Sequence, residues 1–167
     1  MAAAYKDLTE YIDFSGCEGL NTKPPGGLRC LFDDDDAYLE TDVDPEMLLT
    51  VRFLQPMKIF SLRIWSGNNT AAYPRDIKLF CNRSNLDFSD AHNASAAEIA
   101  QSLTLKQTSG PDFADEVKLR FVKFQNVSSL TVFVSSNFGA ESTVIRRLQF
   151  IGQPKEIMDM NKFEKKG

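Results

Sequence analysis

Apolar and polar residues alternate through most of the chain. That two-residue period belongs to strands, not to helices. The pattern is strongest between Val117 and Gly139. There Val117, Leu119 and Phe121 alternate with Lys118 and Arg120. After a polar link at Asn126, Ser128 and Ser129, a second run puts Leu130, Val132 and Val134 on one face and Thr131, Phe133 and Ser135 on the other. The link is short and Asn126 suits a tight turn, so the two runs are expected to pair as a central antiparallel unit, buried on both faces.

The same period marks further strands. Leu49, Val51 and Phe53 share a face within Met47–Phe53, and Gln55-Pro56 then punctuates the chain. Phe60, Leu62 and Ile64 repeat the pattern within Lys58–Trp65, as do Ile77, Leu79 and Cys81 within Asp76–Asn82. A short strand is expected at Ser102–Leu105. The last is expected at Thr143–Ile151, with Val144, Leu148 and Phe150 facing one way and Ile145 and Ile151 the other. Helical spacing of Tyr5, Leu8 and Ile12 predicts a short helix over Ala2–Ile12, and Leu86–Ala100 reads as a short helix or loop. Glycines and prolines place breaks at Lys23–Gly27, Gly67–Pro74 and Gly110-Pro111. Many strands and frequent turns predict an all-β fold, an antiparallel β-sandwich or jelly roll. Its expected core includes Leu119, Phe121, Val132, Val134, Leu148 and Phe150. The 167 residues suit one domain, 1–155, followed by a polar, partly mobile tail, 156–167.

Charge removes some classes of partner. The formal net charge is -4 and the sequence pI is about 5.0, so neither nucleic acid nor an anionic membrane is expected. No run is long and apolar enough to cross a bilayer. The opening MAAAYKDLTE lacks the basic and apolar regions of a secretory signal. Cys17, Cys30 and Cys81 are odd in number and form no CxxC, a pattern of free thiols in a reducing compartment. The sequons at Asn68, Asn82, Asn93 and Asn126 are then chance matches to a short motif.

No catalytic constellation stands out, and no cofactor is expected. The acidic stretch Asp33–Glu46 holds carboxylates in plenty, but no glycine sits at the turn an EF-hand needs, so a solvated acidic loop is expected rather than a calcium site. Cys17 and Cys30 lack the short spacing of a redox pair. The only histidine, His92, reads as an exposed loop residue, and no GxSxG nucleophile elbow is present. Trp65 reads as a core or rim residue in preference to a sugar-stacking platform. Arg146 and Arg147 fall mid-strand, where a satisfied edge charge is the default.

Several stretches together resemble the PITH domain, the proteasome-interacting domain found at the C-terminus of thioredoxin-like proteins and also alone. The strongest are RFVKFQNV at Arg120–Val127 and LTVFVSSNFG at Leu130–Gly139. Cys17-Glu18 with Leu20-Asn21, Tyr38-Leu39-Glu40, Phe53 with Gln55-Pro56, Phe150-Ile151-Gly152 and DMNKF at Asp159–Phe163 follow in the matching order. The resemblance implies a galactose-binding-like jelly roll without enzymatic activity. It also implies a cytoplasmic and nuclear protein that docks on the regulatory particle of the 26S proteasome. A monomer is expected. The candidate contacts are the acidic stretch, with Asp33, Asp34, Asp35, Asp36, Asp42 and Asp44, and the tail, with Met160 and Phe163. The alternative is a carbohydrate- or ligand-binding module, an idea that rests on fold analogy.

Overall fold

The computed structural model describes residues 5–23, 28–33, 37–107 and 114–155. Its strands begin with β1 (Lys6–Asp7), β2 (Glu18–Leu20), β3 (Thr22–Lys23) and β4 (Leu39–Thr41). The long β5 (Met47–Trp65) follows, then β6 (Pro74–Cys81) and the helix α1 (Phe88–Asn93). The chain continues through β7 (Gln101–Thr104), β8 (Asp115–Lys118), β9 (Val127–Asn137), β10 (Val144–Ile145) and β11 (Arg147–Pro154).

Strand β5 carries the architecture. Its first half pairs with β9 and β2, its second half with β11 and β8, all antiparallel. The main sheet runs β1-β11-β5-β9-β6-β7, with β2 and β8 also paired to β5, and a small sheet runs β10-β4-β3. Gln55 and Pro56 interrupt the ladder, not the strand. The pairing with β9 slips between Arg52 and Met57, where a proline has no N–H to donate. The Pro56 carbonyl instead accepts from the Lys155 amide at 2.9 Å. Both halves of β5 contribute to one core cluster, which includes Leu49, Val51, Ile59, Leu62, Val132 and Phe150. The sheet therefore wraps around its own interior, as a jelly roll does.

A second cluster lies on the other face of β5 and β9: Leu48, Phe80, Leu86, Ala91 and Phe133. Helix α1 helps to cover it. Its start is fixed by a capping box: the Asp87 carboxylate accepts from the Asp90 amide, and the Asp90 carboxylate from the Asp87 amide. Leu130 to Val134 are thus all buried, as the apolar pattern on both faces predicts.

Several expectations are corrected. The run at Val117 does not pair with β9. β8 pairs with β5, Ser61 opposite Lys118, and a 3-10 segment, Phe121–Phe124, makes the crossing to β9. Gln125 closes that segment by donating to the Phe121 carbonyl at 2.8 Å. The strand period stops at Leu119, so Phe121 is 64% exposed while Phe124 is buried. The other five expected core residues are buried.

Phe60 also leaves its expected face. Ile151 lies opposite Ser61 and Gly152 opposite Ile59, which makes Phe60 the extra residue of a β-bulge. Inward positions shift from Met57 and Ile59 to Leu62 and Ile64 across it. The last strand is likewise split at Arg146, whose amide donates to the Trp65 carbonyl at 2.7 Å. Ile145, not Val144, is fully buried.

No α-helix forms at residues 5–12. Lys6 and Asp7 pair with Gly152 and Ile151. The Asp7 carboxylate then accepts the Thr9 amide at 2.8 Å and starts a 3-10 turn, Thr9–Tyr11. Leu8 and Ile12 still reach the core, but Tyr5 stays exposed. His92 sits on α1, not in a loop, with Nε2 2.6 Å from Glu46 Oε2 and its ring edge-on to Phe133. Residues 2–4, 24–27, 110–111 and the expected tail, 156–167, lie outside the described residues.

Candidate interaction surface

The acidic turn from Asp42 to Glu46 is built around one side chain. Asn21 joins β2 to β3 with φ of 60°, a left-handed conformation that asparagine tolerates better than most residues. Its Nδ2 donates to the Glu46 carbonyl at 2.7 Å, to Asp44 Oδ1 at 2.9 Å and to the Asp44 carbonyl at 3.2 Å. Its Oδ1 accepts from the Val43 amide at 3.0 Å, and its carbonyl from the Asp42 amide at 3.1 Å. Asp44 Oδ1 also takes the Glu46 amide. The turn's polar backbone is largely satisfied, and its shape is set before any partner arrives.

A second amide supports the neighbouring loop from below. Asn137 Nδ2 donates to the carbonyls of Ala140 and Ser142 and to Thr143 Oγ1. Thr143 Oγ1 passes the network on to the Pro45 carbonyl at 2.7 Å, and the Thr143 amide donates to Thr41 Oγ1 at 2.9 Å. Asn137, Thr143 and Thr41 are buried, so this polar layer is rigid as well as satisfied. Ser142 Oγ donates to Glu40 Oε2 at 2.6 Å.

Above this base the surface is negative, with an apolar tip. Val43 is 81% exposed between the exposed Asp42 and Asp44. A shallow concavity of about 590 Å³ runs beside it, lined by Lys23, Glu40, Asp42, Val43, Asp44 and Glu141 among others. Next to it, sharing Glu40, is one of about 430 Å³ with Tyr38, Ser66, Asn68, Asn69 and Arg146 in its walls.

The expected contact residues divide. Asp42 and Asp44 fall on this turn. Asp33 belongs to a separate pair, its Oδ1 4.0 Å from Arg29 Nε. Asp34, Asp35, Asp36, Met160 and Phe163 lie outside the described residues. Asn21, Val43, Asn137 and Thr143 were not singled out from sequence as parts of a site. The available signal was an asparagine between two very short strands, a position that often needs a left-handed residue.

The groups that this surface presents include carboxylates, amides, hydroxyls and one exposed apolar side chain, Val43. Among the described residues no three His, Cys, Asp or Glu side chains converge to hold a metal. Cys17, Cys30 and Cys81 are free thiols. Burial pushes the Cys81 thiol up to about 11 and also raises that of Cys17, which leaves little thiolate at neutral pH. Trp65 carries the Arg147 guanidinium over its ring at 5.4 Å, so its face is already occupied. No helix among the described residues is long and apolar enough to cross a membrane.

Comparison with solved structures matches the fold. The first and second family 32 carbohydrate-binding modules of Clostridium perfringens ZmpB align with a TM-score of 0.67 at 12% identity, covering 89% of this chain and 36% of that one. The family 32 module of C. perfringens NanJ, solved with galactose, aligns at 0.64 and 11% identity, covering 89% and 99%. An F5/8 type C domain from Bacteroides fragilis aligns at 0.64 and 9% identity, covering 92% and 99%. At such identities the likeness is one of fold: a galactose-binding-like jelly roll. In sequence, the chain is 34% identical over 165 residues to thioredoxin-like protein 1 of Schizosaccharomyces pombe. That alignment covers 96% of the chain but 56% of the yeast protein, little more than half its length. PITH domain-containing protein 1 of Danio rerio is 29% identical, covering 95% of the chain and 73% of that protein. The family model for the PITH domain matches residues 1–167. With that match over its whole length, the chain belongs to the PITH domain family.

Proposed function

We propose that this domain is a non-catalytic docking module that binds the regulatory particle of the 26S proteasome, as a monomer, in the cytoplasm and nucleus. The observation that carries the reading is the turn Asp42-Val43-Asp44. It is exposed, acidic and preorganised by Asn21, so little ordering entropy opposes binding. Its charge steers a basic partner, and Val43 offers an apolar contact at the tip. The resemblance to the PITH domain is what suggests this partner. Tagged domain and purified 26S particles, run together on native gels at micromolar domain and low salt, test this. Co-migration that weakens in Asp42→Asn and with added salt is expected. Its absence for the unaltered domain overturns the reading.

The adjoining concavity favours a second reading, a carbohydrate-binding module. Exposed Tyr38 can stack on a sugar face while Glu40, Asn68, Asn69 and Arg146 supply hydrogen-bonding groups. A glycan array decides it: saturable binding lost in Tyr38→Ala supports this reading, and a blank array removes it.

A further inference from the structure

The middle of β5 carries a second surface of opposite charge. Leu54 is 65% exposed, Phe121 64% and Val122 84%. Leu54 belongs to β5 itself, and Phe121 and Val122 belong to the segment that packs on that strand. The Leu119 amide donates to the Phe60 carbonyl at 2.9 Å, the segment Phe121–Phe124 packs on β5, and Val127 lies opposite Met57. Tyr5 adds its ring, 4.0 Å between centroids from that of Phe60. Adjacent exposed apolar side chains of this size mark a contact surface more often than isolated ones do.

Cations frame the patch on both edges of β5. Lys118, Arg120 and Lys123 approach from the β8 side, and Lys155, whose amide binds the Pro56 carbonyl, from the β11 side. All four are exposed, and among the described residues none is in an ion pair. The nearest carboxylates on β8 are already engaged. Asp115 Oδ2 accepts from the Tyr73 hydroxyl at 2.6 Å, and Glu116 Oε2 lies 3.6 Å from Arg63 Nε. A positive rim on a chain of net charge -4 is a local feature that the overall charge opposes.

From the apolar centre and the exposed basic rim together, we propose that this patch binds an acidic peptide segment carrying bulky apolar side chains. The apolar groups would cover Phe121, Val122 and Leu54, and the carboxylates would meet the lysines and Arg120. The surface is separate from the acidic turn and selects the opposite charge.

Amide NMR shifts of the full chain, titrated with three short synthetic peptides, test the proposal. One alternates glutamate with leucine and phenylalanine, one replaces the apolar residues by glycine, and one replaces glutamate by lysine. Saturable shifts centred on Phe60 and residues 119–124 are expected with the first alone. They should weaken with salt, and affinity should fall about tenfold or more in Phe121→Ser and in Lys123→Glu. Both substitutions are at exposed positions and should leave the melting temperature unchanged. Absence of shifts overturns the proposal, as do shifts centred elsewhere or equal binding by either control peptide. Shifts of the same residues on concentrating the protein without peptide also overturn it, because a second copy then occupies the patch. None of these results depends on whether proteasomes co-migrate with the domain.

Discussion

A Cβ placed on Gly152 would stand 2.0 Å from the Lys58 carbonyl oxygen. Backbone blocks backbone where β11 faces the β5 bulge, and no flexible side chain can yield. Gly152→Ala should therefore destabilise the fold by about 3 kcal/mol, read as a lowered urea midpoint with the slope unchanged. A variant as stable as the parent would show that the bulge can relax.

Val132 and Phe121 make a matched pair. Val132 is fully buried in β9 and Phe121 is exposed. Val132→Asp buries a carboxylate without a partner and should abolish cooperative unfolding. Phe121→Asp should melt within a few degrees of the parent. Thermal melts followed by circular dichroism check both.

Asn21→Ala removes the amide that pins the acidic turn and puts a Cβ-bearing residue with no compensating polar group at φ of 60°. A loss of about 1–3 kcal/mol is expected. The diagnostic readout is local: hydrogen exchange at Val43 and Glu46 should accelerate more than exchange in β9.

Acid should destabilise the domain in part through Asp76. Hydrogen bonds from the Ser136 and Thr104 hydroxyls, at 2.6 Å and 2.8 Å, hold its carboxyl below the ordinary value of 3.8. A depressed native pKa means stability that is present above the unfolded value and lost as pH falls through the native one. Asp76→Asn should lower the urea midpoint at pH 7 but reduce its further fall below about pH 4.

Cys81 should resist alkylation in the native state. Its thiol is pushed up to about 11 by burial, and Sγ lies 3.6 Å from the Lys123 carbonyl oxygen. Iodoacetamide at pH 8 should leave it intact and label it once urea unfolds the chain; mass spectrometry of the peptide containing it gives the answer.

How far the chain could be read from sequence depended on how local the cause was. Val132, Val134, Leu148 and Phe150 were legible as core because alternation is a property of neighbours in sequence. Phe121 was not, since the strand ends three residues earlier, at Lys118, where the chain must cross from pairing with β5 as β8 to pairing with it as β9. Phe60 shifted because of Gly152, a residue of another strand. Asp42 and Asp44 were legible as exposed acids. That Asn21 shapes their turn was not, because its contacts span more than twenty positions.

The pairing of β1 with β11, Lys6 opposite Gly152, also bears on how the domain is made. The edge that opens the fold is completed by the last strand described. A ribosome must deliver nearly the whole domain before that sheet can close, and β5 waits equally long for its β11 partner. Closing such distant contacts is slow. Until then β5 exposes a long apolar ladder to whatever else is in the cell. Nascent chains stalled before residue 147 should therefore bind chaperones, and chains released beyond 155 should not.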